Sequence, residues 1–137
     1  MKKLILFFLI GFISFGAFSN EWKLYKEVDG INIYFKNIVC EHPETKEKME
    51  YTILKFSNSS NTDKTIQFQK QYSFNGVCQN CNNEIDPNDV ILNLKPKSSI
   101  EGDCTFADYN LKLFYQYPDR KNDLLLTDFQ ITNIKVN

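Results

Sequence analysis

The sequence contains little of what enzymes commonly use for catalysis. Its 137 residues include a single histidine, His42, which stands between Glu41 and Pro43 in a segment with loop composition. It has no G-x-S-x-G motif and no glycine-rich loop of the kind that binds phosphate. Without a recognisable set of nucleophile, base and oxyanion donors, we predict that the protein is not an enzyme and uses no cofactor.

An excess of positive charge is also missing. The chain carries 16 Lys and Arg against 17 Asp and Glu, a formal net charge of −1, and the two signs are interspersed. Nucleic acids and anionic membrane surfaces are bound by basic patches. Neither is therefore expected as a partner.

Long apolar runs are absent except at the N-terminus. There, Lys2 and Lys3 precede an apolar run over residues 4–18, and Ala17 and Ser19 occupy the small-residue positions that signal peptidase recognises. The run is shorter than the roughly 20 residues of a membrane-spanning helix, which disfavours the alternative of an uncleaved anchor. The pattern predicts a secretory signal peptide.

This leader divides the chain into two parts. We predict a signal peptide over residues 1–19 and one β-sandwich domain over residues 20–137, a length that builds a single compact core. The expected location is secreted or periplasmic, with no membrane span after cleavage.

Helical periodicity is absent, and apolar residues alternate with polar ones as in half-buried strands. The clearest strand, "KTIQFQKQYSF", places Ile66, Phe68, Tyr72 and Phe74 on one face and three glutamines on the other. In "EWKLYKEV" the alternation sets Trp22, Leu24 and Val28 inward, against Lys23, Tyr25 and Glu27. In "NLKLFYQY" it sets Leu111, Leu113, Tyr115 and Tyr117 inward.

Turn signals separate these strands. Asp29 and Gly30 predict a type I′ hairpin, because such a turn needs positive φ at both central residues. A slip of the apolar phase between Ile131 and Ile134 predicts a β-bulge in the last strand. Seven or eight short strands predict an all-β, immunoglobulin-like antiparallel β-sandwich, with a small barrel as the alternative.

Four cysteines remain after the leader: Cys40, Cys78, Cys81 and Cys104. If successive strands alternate in direction, all four lie at the same end of the domain. An even number of cysteines in a small exported domain predicts two disulfides. Three pairings are open, and the small entropy of a loop closed across two residues favours Cys40–Cys78 with Cys81–Cys104.

Metal and redox alternatives involve the same region. Four thiolates, helped by His42, would form a zinc-type site, although only one closely spaced pair is present. The loop "NNEIDPND" offers oxygen ligands for calcium, including Asn82, Glu84, Asp86 and Asp89, without the spacing of an EF-hand. A redox dithiol would need a helix N-terminus at the C-x-x-C pair, and loop residues follow it instead.

The mature chain resembles small exported proteins of Bacteroidota that carry an immunoglobulin-like sandwich. The likeness rests on "VDGINIYFKNIVC", "LKFSNSSNTDKTIQF", "NGVCQNC", "LKPKSSIEGDC" and "LTDFQITNIKV". The strand ending in F-x-N before a polar turn is similar to the B–C region of such domains, and the order of a single cysteine, C-x-x-C and another single cysteine is similar to the group's. The Cys–Trp–Cys core of antibody domains is absent. The resemblance implies a fold and an envelope location, and no activity.

Together these patterns predict an exported, non-catalytic binding or structural module stapled by two disulfides. A metal-binding envelope protein is the alternative, and a small hydrolase or thiol-redox enzyme is a further one. The partner would be another envelope protein or a glycan. Because binding sites concentrate in loops held by a rigid scaffold, we expect the interaction surface near residues 78–89 and 101–109.

Overall fold

The computed structural model describes residues 21–81, 89–120 and 123–137, so the predicted signal peptide lies outside the described residues. Within them, the chain forms two antiparallel sheets and no helix, which confirms the all-β sandwich. Nine strands are present in these ranges: β1 (Lys23–Val28), β2 (Ile31–Glu41), β3 (Lys48–Asn58), β4 (Lys64–Phe74), β5 (Val77–Cys78), β6 (Val90–Leu94), β7 (Ser99–Glu101), β8 (Lys112–Gln116) and β9 (Leu126–Val136). The strand beyond the predicted eight is β5.

Each sheet is built around one long central strand. In the first sheet β3 pairs with β2 along one edge, and β1 pairs with β2 in turn. The other edge of β3 is shared by β7 and β8. In the second sheet β4 pairs with β9 along one edge, and its other edge is shared by β6 and β5. In each sheet, two short strands therefore share one edge of the long central strand.

The turn chemistry of the chain determines the hairpins. Asp29 has φ 47° and Gly30 has φ 83°, which confirms the type I′ hairpin between β1 and β2. Asn75 (φ 48°) and Gly76 (φ 80°) form the same kind of turn between β4 and β5. The bulge predicted in β9 is confirmed, because the β4–β9 register shifts there and Asn133 has φ 51°.

The main core lies between the sheets. Its centre is a stacked pair of rings, Phe56 of β3 and Phe68 of β4, with centroids 4.6 Å apart. Both side chains are fully buried, as are Ile31, Ile33 and Ile66. Burying a side chain of this size contributes about 1.5–3 kcal/mol. The predicted alternation in β4 is confirmed, since its glutamines lie on the opposite, half-exposed face.

The predicted phase of β1 is wrong. A register shift between Leu24 and Lys26 leaves Leu24 59% exposed and packs Tyr25 against the core. The Tyr25 ring stacks on Phe129 at 5.6 Å, and its hydroxyl accepts a hydrogen bond from the backbone N–H of Ile131 at 3.0 Å. An edge strand tolerates such a bulge because only one of its sides is paired.

A second apolar cluster covers the outer face of the first sheet. Tyr51 and Ile53 alternate along β3 with the core residues Leu54 and Phe56, so their side chains project away from the second sheet. They form this outer cluster with Cys40, and packed against it are Trp22, Ile38, Met49, Phe106 and Phe114. The first sheet is thus covered on both faces around β2 and β3.

Candidate functional site

Two disulfides confirm that the chain is stapled, but the favoured pairing is wrong. Cys40 is joined to Cys104, and Cys78 to Cys81, with Cα–Cα distances of 5.5 and 5.8 Å. Cys40 is buried in the outer cluster, on the face of the first sheet that points away from the second sheet. Because Cys78 belongs to β5 of the second sheet, the two cannot meet. The pairing was decided by the outer face of the first sheet, on which Cys40 of β2 lies, and not by the entropy of loop closure.

The disulfides also overturn the thiolate metal site, because no cysteine is free. Among the residues that the structure describes, no group of three or more His, Cys, Asp and Glu side chains could hold a metal ion. His42 instead uses Nδ1 to accept hydrogen bonds from the backbone N–H groups of Glu44 (3.2 Å) and Thr45 (3.3 Å). The only histidine of the sequence therefore closes the β2–β3 turn.

Of the proposed calcium ligands, only Asp89 lies in the described part of the chain. Asp89 accepts hydrogen bonds from the side-chain amides of Gln67 and Gln69, each at 2.6 Å, on the outer face of the second sheet. Asn82, Glu84 and Asp86 lie outside the described residues. The structure thus gives Asp89 a partner within the sheet.

The C-x-x-C stretch holds an asparagine against the edge of β4. Asn80 lies between Cys78 and Cys81, and its Oδ1 accepts a hydrogen bond from the backbone N–H of Tyr72 at 3.1 Å. Its Nδ2 donates to the backbone carbonyl of Lys70 at 2.7 Å. The Gln79 N–H donates to the carbonyl of Tyr72 at 3.0 Å. This short turn therefore occupies the edge of β4 beyond Val90, the first residue of β6.

The Cys40–Cys104 disulfide holds the loop between β7 and β8, residues 102–111, here called the β7–β8 loop. Its two ends meet at one residue: Leu54 accepts a hydrogen bond from the Gly102 N–H and donates one to the Leu111 carbonyl, both at 2.9 Å. Between these ends Cys104 is tied to Cys40, and Phe106 packs on the outer cluster. The loop is fixed at its base and again near its middle.

Two lysines also hold this loop. Lys112, only 3% exposed, donates from Nζ to the carbonyl of Thr105, and its ammonium lies over the rings of Tyr51 (5.0 Å), Phe106 (5.4 Å) and Tyr109 (4.8 Å). Lys70 of β4 donates to the carbonyls of Tyr109 and, at 3.3 Å, Lys112. The loop is thereby connected to both sheets.

The pKa values of Lys112, Tyr51 and Asp103, in and beneath the loop, are shifted. Desolvation lowers the pKa of the Lys112 ammonium, and the carboxylates of Asp103 and Asp108 oppose that shift. Desolvation likewise raises the pKa of the Tyr51 hydroxyl. The pKa of Asp103 is lowered because its carboxylate accepts a hydrogen bond from the Thr105 N–H, at 2.7 Å.

An open cleft of about 560 Å³ lies between the β7–β8 loop and β8 on one side and β4 with the C-x-x-C turn on the other. Four aromatic residues line it: Tyr72, Phe74, Tyr109 and Phe114. Three amides line it as well: Gln79, Asn80 and Asn110. The described lining also contains Lys70, Lys112, Val90 and Leu113. A concave site of this size, with rings and a few placed polar groups, is typical of ligand pockets.

The cleft lies where the sequence indicated loops, but seven of its eleven described lining residues come from strands. Gln79, Asn80 and Tyr109 belong to the two segments expected to form the interaction surface. Tyr72 and Phe74 were correctly placed on the inward face of β4, yet they remain half-exposed. Asn75-Gly76 was the missed signal, because it predicts the hairpin that ends β4 and begins β5.

No family model, characterised protein or solved structure that we compared with the chain matches it. Across the described ranges, no helix is long and apolar enough to cross a membrane.

Proposed function

We propose that the protein is an exported, non-catalytic binding module that holds its ligand in the cleft between the two stapled segments. The observation that carries this proposal is the cleft itself: about 560 Å³, lined by rings and amides, with a disulfide behind each wall. Crosslinked loops on a rigid sandwich are suited to binding, because little conformational entropy remains to be lost when a ligand is held.

Export is supported by the cysteines. Both pairs are oxidised, and disulfides of this kind persist in oxidising compartments outside the cytoplasm. The leader sequence supports the same location. We also propose that the chain belongs with the exported proteins of Bacteroidota that it resembles. Its two sheets would then have an immunoglobulin-like arrangement.

Binding rather than catalysis is supported by the chemistry of the cleft. Its described lining consists of aromatic, amide, lysine and aliphatic side chains, and no carboxylate or imidazole is among them. General acid–base catalysis by a carboxylate or an imidazole would need such a group within hydrogen-bond reach of the substrate. Rings and amides instead supply contact area and orientation.

Export is tested by intact mass. Protein recovered from outside the cytoplasm should begin at Asn20 and weigh four hydrogens less than the same chain after reduction. A full-length chain with reduced thiols would contradict the export part of the proposal.

The binding site is tested with two small probes, phenol for the rings and acetamide for the amides. Titration of ¹⁵N-labelled protein should move the backbone amide signals of Gln79, Asn80 and Asn110 first. The amide signals around Tyr34, on the outer face of the first sheet, serve as the internal control. Equal shifts at both places, or none in the cleft, would show that the cleft is not a binding site.

A further inference from the structure

The cleft presents aromatic rings that are still accessible. Tyr109 is 57% exposed, and its ring lies beside the buried ammonium of Lys112 at 4.8 Å. Tyr72 and Phe74 lie edge to face at 5.6 Å on the floor. The Phe74 ring is also 6.2 Å from the ring of Phe114 of β8, which packs against the outer cluster. These rings offer flat apolar faces to a ligand that also has one.

The amides around the rings are oriented. An amide side chain has two N–H donors and two acceptor lone pairs. The two bonds from Asn80 to β4 use one of each, and they determine which way its amide faces. The remaining N–H and lone pair suit a hydroxyl group, which both donates and accepts. Gln79 and Asn110 bring further amides to the same cleft.

Five backbone groups on the two walls already have hydrogen-bond partners. On β4, the Tyr72 N–H and the carbonyls of Lys70 and Tyr72 are bonded by the C-x-x-C turn. Opposite them, the carbonyls of Tyr109 and Lys112 accept from Lys70. A peptide that adds as a strand needs main-chain donors and acceptors of this kind. The cleft is therefore built for recognition through side chains.

Other ligand classes fit this lining less well. A purely apolar ligand would cover the remaining donors and acceptors of the Gln79, Asn80 and Asn110 amides without offering them hydrogen bonds, which costs free energy for each group. An anion would find both ammonium groups of the described lining, Lys70 and Lys112, already donating to backbone carbonyls. The lining suits a neutral molecule that combines apolar faces with many hydroxyls.

We propose that the cleft binds a saccharide, an inference that rests on the proposed function of the cleft as the binding site. The apolar C–H face of a sugar ring packs on the exposed ring of Tyr109, and Tyr72 and Phe74 line the cleft beneath the ligand. The hydroxyls at the ring edge pair with the amides of Gln79, Asn80 and Asn110. The volume of about 560 Å³ lies within the range of pockets for small ligands.

The test uses three trisaccharides, maltotriose, cellotriose and chitotriose, and one tripeptide, Ala-Tyr-Ala, against the ¹⁵N-labelled full-length mature protein. At least one trisaccharide should give saturable shifts of the Gln79, Asn80 and Asn110 amides. Replacing the exposed ring, Tyr109→Ala, should weaken that affinity about tenfold, the loss expected for one stacked ring in a binding site. Tyr34→Ala, a tyrosine on the outer face of the first sheet, is the matched control and should leave the affinity unchanged.

The outcomes separate this inference from the function beneath it. If the tripeptide saturates the cleft and no trisaccharide does, the cleft is a binding site and the saccharide inference is wrong. If neither class shifts the cleft amides, the saccharide inference is wrong, and if phenol and acetamide also fail, both proposals are wrong. If a trisaccharide binds equally to Tyr109→Ala and to Tyr34→Ala, it binds elsewhere and the inference is again overturned.

Discussion

The two disulfides stabilise different things. Cys40–Cys104 joins residues 64 positions apart and ties a loop to the outer face of the first sheet. Cys78–Cys81 spans three positions and closes one turn at the edge of the second sheet. By the relation between loop length and chain entropy, the first should contribute about 4 kcal/mol and the second at most about 2 kcal/mol. The long staple supports the fold, and the short one positions Asn80.

The sharpest test of this difference is to remove each staple in turn. Cys40→Ala with Cys104→Ala should lower the free energy of unfolding by about 4 kcal/mol, because the unfolded chain regains the freedom of a long loop. Cys78→Ala with Cys81→Ala is the matched control and should cost half as much or less. Urea unfolding of both double variants measures this, and equal losses would contradict the division of roles.

Each staple has a neighbouring glycine, which gives the next largest effect. A Cβ at Gly102 would lie 2.3 Å from the carbonyl oxygen of Leu111, so Gly102→Ala must force the base of the β7–β8 loop apart. We expect a loss of about 2–3 kcal/mol, as for overpacking in a rigid site.

Gly76→Ala is the comparison for the short staple. Nothing lies within 4 Å of a Cβ there, and the cost comes only from φ +80°, about 1–2 kcal/mol. Thermal unfolding of both variants compares them. A milder effect at Gly102 than at Gly76 would show that the base of the loop can yield.

Asn80 tests what the short staple positions. Asn80→Ala removes both side-chain bonds to β4 and should cost about 1–2 kcal/mol, since each such bond contributes about 1 kcal/mol. Amide hydrogen exchange at Tyr72 should become faster, because its N–H loses its acceptor. The amide of Ile66, in the buried part of β4, should keep its protection; if both change alike, the effect is global.

The smallest expected effect is a change in pH dependence beneath the long staple. The folded-state pKa of Lys112 is lowered from 10.5, so the unfolded chain binds more protons in the window between the lowered value and 10.5. Stability from Lys112 therefore increases as the pH rises through that window. Tyr51, whose raised pKa acts with the opposite sign above pH 10.0, limits the useful range to below that value.

Lys112→Met should remove this alkaline increase. Urea unfolding from neutral pH to just below pH 10.0 compares the variant with the native chain, with the exposed-lysine change Lys95→Met as the control. The free energies of unfolding of Lys95→Met and of the native chain should rise in parallel. Parallel curves for Lys112→Met as well would show that the ammonium of Lys112 is not responsible.

Much of the fold followed from short-range chemistry in the chain. The alternation in β4, the Asp29-Gly30 hairpin and the bulge near Asn133 each depend on a few adjacent residues, and all three are confirmed. The predicted phase of β1 was wrong because the bulge lets Tyr25 stack on Phe129, which lies in a strand more than a hundred positions away. The burial of Lys112 was not predicted, since nothing in "NLKLFYQY" indicates that Tyr51 of β3 and two aromatic residues of the β7–β8 loop will cover its ammonium.

The candidate site divides in the same way. The sequence predicted an interaction surface in the cysteine-bearing loops at one end of the domain. Gln79, Asn80 and Tyr109 of the cleft lie in those loops. The floor of the cleft comes from Tyr72 and Phe74, which carry the same alternating signal as the buried half of β4. Whether such a ring is covered depends on how far the strands of the opposite sheet extend. The periodicity of one strand gives no information about the length of another.

Residues a few positions apart decided that this chain forms strands, where its hairpins turn and that its cysteines oxidise in pairs. These properties depend on backbone sterics, turn chemistry and the number of thiols, all of which are present before the sheets meet. The pairing of Cys40 with Cys104, the burial of Lys112 and the cleft arose only when two sheets packed together. They depend on which face a side chain takes and on which strand ends first, and both are settled by contacts between distant parts of the chain.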